Sequence, residues 1–162
     1  MRIPAAAALL ALTIALPSAG PQPAGERGQP PREQAPLVKG WIAKRLDTLL
    51  PELMRREGID LWLIVSREYN DDPVFRSMAP LTTYASRRRT ILAFHDPGAG
   101  RPVERASIGR FDYEGLFPVV KTRNDGQWEG LRKLVEERQT KVVAVNTSVQ
   151  FAHADGLRAN ER

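Results

Sequence analysis

Ile59-Asp60-Leu61-Trp62-Leu63-Ile64-Val65 is the stretch on which the fold turns. Only Asp60 interrupts it with a charge. A strand with one wet face alternates polar and apolar residues, whereas a strand covered on both faces reads as a continuous apolar run. The run has strand length and a β-branched, aromatic character. It therefore predicts a central strand with helices packed on each side, which is an α/β architecture.

Upstream, Val38, Ile42, Leu46, Leu49, Leu50 and Leu53 fall three or four apart, the signature of one apolar helix face beginning near Leu37. Pro51 either kinks that helix or opens a second one over Pro51–Glu57, since proline is welcome in a first turn. Gly58, just after Arg55-Arg56, is the expected stop. Downstream, Asp72-Pro73 reads as the N-cap and first residue of a short helix over Pro73–Met78. Thr90–Phe94 is a second strand, and Asp96-Pro97-Gly98-Ala99-Gly100 is a strong turn. Val103–Ile108 alternates, so it pairs with the second strand as a hairpin. Asp125 is placed to cap a helix over about Gly126–Arg138, with Trp128, Leu131, Leu134 and Val135 facing inward. Lys141–Asn146 reads as a last buried strand, and Phe151–Leu157 as the start of a further helix. The expected order is α-β-α-β-β-α-β: a mixed β-sheet with flanking helices and no internal repeat.

The chain start has a different character. Arg2 precedes an apolar run from Ala5 to Leu16, and Pro17, Ser18, Ala19 and Gly20 follow. A run of about 12 residues falls short of the roughly 20 needed to span a bilayer. Residues 1–19 therefore read as a secretory signal peptide, and the chain as exported to the periplasm or medium, with no membrane attachment after cleavage. Gly20–Pro36 (GPQPAGERGQPPREQAP) has no apolar period and reads as a flexible, extended leader. The folded domain is expected over 37–157, with 158–162 starting a linker toward a further domain.

The 162 residues are 42% hydrophobic and 27% charged, with a formal net charge of +5. That suits one globular core but not two domains with a cleft between them. The absence of cysteine excludes disulfides, thiolate metal sites and cysteine nucleophiles. His95 and His153 are too few for a zinc site built on several imidazoles. Basic and acidic residues are mostly mixed, and the one tight basic run, Arg87-Arg88-Arg89, has no aromatic residue interleaved in sequence. A solvated surface is favoured there and no nucleic-acid partner is expected.

No phosphate-binding glycine loop, nucleophile elbow or zinc-protease helix motif is present. His95 reads as a surface residue at a strand end, and His153-Ala154-Asp155 as a polar pair at a helix start. The richest polar cluster is Ser66-Arg67-Glu68-Tyr69-Asn70-Asp71-Asp72, just past the carboxyl end of the central strand. Loops at that position often face ligands in α/β sheets. Arg67 suits a carboxylate and Tyr69 a pocket wall. The competing reading is a capped connector with solvated charges.

RREGIDLWLIVSREYNDDPVF (55–75), ASRRRTILAF (85–94), QWEGLRKLVEER (127–138) and VNTSVQFAHADGL (145–157) together resemble bacterial members of the M24 family of metallopeptidases. That family includes Xaa-Pro aminopeptidases, prolidases and creatinase. The resemblance covers roughly Leu37–Leu157 and lies entirely in the family's amino-terminal, creatinase-like domain. It implies a separate carboxy-terminal domain holding two divalent metals (Mn, Co or Zn) through two Asp, one His and two Glu. No such ligand and no catalytic residue maps onto this chain, so the chain alone is expected to be inactive and to carry no cofactor. The resemblance implies as partners the chain's own catalytic domain, further copies in a homo-oligomer, and proline-containing peptides. It makes Arg67, Tyr69, Asn70 and Asp72 the candidates for substrate-side or subunit contacts. A stand-alone exported binding or scaffold module is the alternative.

Overall fold

The computed structural model describes residue 28, residues 30–120 and residues 126–151. The expected signal segment, most of the expected leader, Asp125, and the expected helix beyond Phe151 with His153 lie outside the described residues. The elements are α1 (Pro31–Asp47), α2 (Leu49–Arg56), β1 (Leu61–Arg67), α3 (Pro73–Met78), β2 (Arg89–His95), β3 (Glu104–Ile108), α4 (Gln127–Arg138) and β4 (Val143–Val145). They form a mixed four-stranded sheet in the order β3-β2-β1-β4. β1 pairs antiparallel with β2 and parallel with β4, and β2–β3 is the expected hairpin. No described helix is long and apolar enough to cross a membrane.

β1 is covered on both faces, for the reason its sequence suggested. Leu61, Leu63 and Val65 join Ile91, Ala93, Ile108 and Leu131 in a core under α4. Trp62 and Ile64 point the other way, to a core shared with Ile42, Leu46, Leu50, Met54, Phe75, Leu92, Phe94 and Phe117. The split follows the period-two alternation of side chains along a strand. Helices α1, α2 and α3 cover this second face.

Several expectations need correction. The leader is shorter than the composition suggests, because α1 already begins at Pro31. Proline fits the first helical position, and Pro36 removes only one donor from a helix anchored further on by Ile42 and Leu46. The chain breaks at Thr48 rather than Pro51. Pro51 lies in the first turn of α2, where its missing N–H is no loss, and Gly58 ends the segment at φ +64°. Trp128 is not inward-facing. It sits at the first turn of α4, past the edge of the apolar core, where the Arg89 guanidinium lies 4.5 Å from its ring centroid. β4 is not buried either: Val143 and Val145 are 45% and 37% exposed. Among the described residues it is a short edge strand paired only with β1, and α4 directs Leu131, Leu134 and Val135 at the sheet centre instead.

Asp60 fastens that edge. Its Oδ2 accepts hydrogen bonds from the Lys141 and Val142 amides at 2.8 and 3.0 Å. Those two donors hold the carboxyl below the usual carboxylate range. A carboxyl depressed in the folded state contributes stability at pH above its unfolded value, and that stability is lost as pH falls through the folded value. We therefore expect protection of the Lys141 and Val142 amides against hydrogen exchange to be constant at neutral and mildly acidic pH and to drop as pH falls below about 4, the ordinary aspartate value. Asp60→Ala is expected to remove the same protection at neutral pH. Unchanged protection in that variant would show that β4 is held by its ladder alone.

Candidate functional site

The carboxyl ends of the parallel strands β1 and β4 lie side by side, and the loops that leave them are tied together by a buried polar network. Asp72, fully buried, caps α3: its Oδ1 accepts from the Val74 and Phe75 amides at 2.7 and 3.3 Å. Asn146, just past β4, donates its Nδ2 to both Asp72 oxygens at 3.1 and 2.9 Å. The Asn146 Oδ1 accepts from the Trp62 indole at 2.9 Å. A second branch begins at Asp71, whose Oδ1 accepts from the Ser86 amide at 2.8 Å and from the Ser86 hydroxyl at 2.5 Å. Ser86 has one hydroxyl proton and Asp71 takes it. The 2.5 Å contact between Ser66 and Ser86 therefore has Ser66 as donor. The Ser66 oxygen in turn accepts from the Asp72 amide at 3.0 Å.

This network divides the residues singled out in the sequence. Asp72 is buried with both oxygens engaged and serves as the cap of α3. Its acceptor capacity is spent on two amides and Asn146. Arg67 and Asn70 close a tight turn through paired backbone hydrogen bonds of 3.2 and 2.9 Å. Tyr69 at its tip has φ +66° and is 95% exposed. Arg67 and Asn70 are half-buried. Arg67, Tyr69 and Asn70 thus stay together at one rim, while Asp72 lies beneath it.

Beside this turn the fold opens a groove of about 500 Å³ that the sequence did not announce. Its lining includes Glu68, Tyr84, Arg87, Phe111, Tyr113 and Glu114. Tyr84 and Phe111 are 88% and 51% exposed. Tyr113 forms the floor: it is buried, and its hydroxyl lies 3.2 Å from the Thr90 hydroxyl. Burial raises its phenol above the ordinary range. The aromatic-rich stretch Arg110–Phe117, which carries no strand or helix period, was the available signal. A chain of ring contacts at 5.9 to 6.3 Å runs from Trp62 through Phe94, Phe117 and Tyr113 to Phe111. The groove and the polar network are therefore two ends of one rigid aromatic core.

His95 is also corrected. It lies largely beneath the surface in a recess of about 190 Å³, because β1 and β3 flank it on both sides. Its Nδ1 is 3.4 Å from Glu104 Oε2 but off the hydrogen-bond direction, and it makes no hydrogen bond among the described residues. Glu104 is instead engaged by Arg138 at 2.7 Å. Among the described residues, no three His, Asp or Glu side chains come together as metal ligands. No family model, no curated protein and no solved structure matches the chain.

Proposed function

We propose that the chain is the non-catalytic, creatinase-like amino-terminal domain of an exported M24-family metallopeptidase whose complete form cleaves Xaa-Pro bonds. In this reading residues 1–19 direct export. The domain supports oligomer assembly and narrows access to an active site in its own carboxy-terminal domain, where two divalent metals are held. The observation that carries the reading is the Trp62–Asn146–Asp72 linkage. It joins two of the separate stretches on which the resemblance rests, and it sets the Arg67–Asn70 turn at the carboxyl ends of β1 and β4, the position from which α/β sheets present ligand-facing loops. Arg67 is the residue for a substrate carboxylate and Tyr69 for the wall beside it.

The test has two arms. The chain alone is expected to hydrolyse no Xaa-Pro peptide with added Mn²⁺, Co²⁺ or Zn²⁺. Joined to the metal-holding domain encoded with it, Arg67→Ala is expected to raise KM about tenfold, the loss of one charge-assisted contact, and Tyr69→Ala to raise it by a smaller factor, the loss of an apolar wall. Turnover by the isolated chain would overturn the reading, as would kinetics and oligomer size indifferent to both substitutions. The groove favours a second reading, a stand-alone exported binding module, because it is a concave aromatic site lying wholly within this domain. The absence of any encoded metal-holding domain would select that reading.

A further inference from the structure

We infer that the groove between Tyr84 and Phe111 is occupied by the chain's own proline-rich leader, the segment upstream of Gly28. Direction is the first ground. α1 runs along the helical face of the sheet with Asp47 at Arg105, on β3, where the charged groups are 3.3 Å apart. Eight residues earlier, the Lys39 Nζ donates to the Glu114 carbonyl at 2.8 Å and lies 3.6 Å from its carboxylate. Glu114 lines the groove. The amino end of α1 thus points to the groove end of the sheet and overhangs Glu114 by about 12 Å, at 1.5 Å per residue from Lys39 back to Pro31. Pro31 therefore lies toward the groove end of the sheet and not toward the Arg105 end.

Conformation is the second ground. Pro30 has φ −54° and ψ 146°, so the chain enters α1 in polyproline II geometry. The segment Gly20-Pro21-Gln22-Pro23 has the composition that holds this geometry. Such segments dock in grooves walled by exposed aromatic rings, and because they are already extended they lose little entropy on binding. Tyr84 and Phe111 are such walls, with Tyr113 as floor. Reach is the third ground. Gly28 stands clear of the fold, with nothing within 4 Å of where a Cβ would be. Docking therefore begins upstream of it, and residues 20–30 in polyproline II span about 34 Å at 3.1 Å per residue, more than twice the overhang. Arg27 would come to the rim, where Glu68 and Asp112 are exposed and make no ion pair among the described residues. The docking is independent of whether a metal-holding domain exists.

Limited trypsin digestion of the full chain tests this at the Arg27–Gly28 bond. Cleavage of a docked segment proceeds through its undocked fraction, so we expect the native bond to be cut about tenfold more slowly than in Tyr84→Ala/Phe111→Ala. Pro21→Ala/Pro23→Ala, which alters the proposed occupant and no residue of the groove, is expected to show the same fast cleavage. Excess synthetic peptide GPQPAGER, residues 20–27, is expected to speed native cleavage to the variants' rate. Equal rates in all three chains would overturn the inference. So would slow cutting that persists in Pro21→Ala/Pro23→Ala. Groove binding by unrelated proline-rich peptides, without protection of Arg27, would also overturn it and would assign the groove to a partner's segment.

Discussion

Phe94→Ala is expected to destabilise the fold by about 4 kcal/mol, measured as a lower urea midpoint at unchanged slope. Phe94 is fully buried near the carboxyl end of β2, an inner strand of the sheet. Its ring stands 6.0 Å from Trp62 and 5.9 Å from Phe117, both in tilted or edge-on contact. Truncation loses the transfer free energy of a phenyl ring and leaves a cavity between rigid neighbours that cannot collapse into it. Sheet pairing on both sides of β2 prevents the backbone from closing the gap. For a domain whose whole stability is about 5 to 15 kcal/mol, the variant sits near the unfolding threshold. Phe111→Ala is the control: it truncates the same side chain at the groove rim, where half its surface is already wet, and it is expected to cost less than about 1 kcal/mol. Equal costs at the two positions would mean that the ring chain does not organise the core.

Asp72→Ala is expected to cost about 3 kcal/mol, with an accompanying loss of order at the β4 edge. About 1 kcal/mol of this is the lost cap on α3. The rest comes from the Asn146 amide, which loses both of its carboxylate acceptors while held by Trp62. The two contributions separate experimentally. Asn146→Ala leaves the cap intact, and a double-mutant cycle between Asp72 and Asn146 is expected to give a coupling of about 1 to 2 kcal/mol. Near-zero coupling would show that the two loops are positioned by their strands alone. The same cycle bears on function, because the network is the seat on which the Arg67–Asn70 turn rests.

How far the site was legible follows from the range of each interaction. The cap of α3 was readable because Asp72 and Pro73 are adjacent and the interaction reaches only to the next two amides. That Asp72 is thereby withdrawn from the surface was not, since its second partner is 74 residues away. The basic run at Arg87–Arg89 has no aromatic residue interleaved in sequence, yet the fold brings Trp128 against Arg89. Burial of Lys141–Asn146 was over-read for a related reason. An apolar run reports what a strand could bury, while its place at the sheet edge determines what it does bury.

What the sequence alone determined is the α/β class, the doubly covered β1, the β2–β3 hairpin, the helix stop at Gly58 and the helix start at Asp72-Pro73. All of these rest on side-chain period or on backbone preference within a few residues, where physics is local. Only the tertiary structure decided that β4 lies beside β1, that Asn146 completes the Asp72 network, and that Tyr84, Phe111 and Tyr113 frame a groove. These depend on contacts across tens of residues, and no local pattern records which distant partner a buried polar group or an aromatic ring will meet.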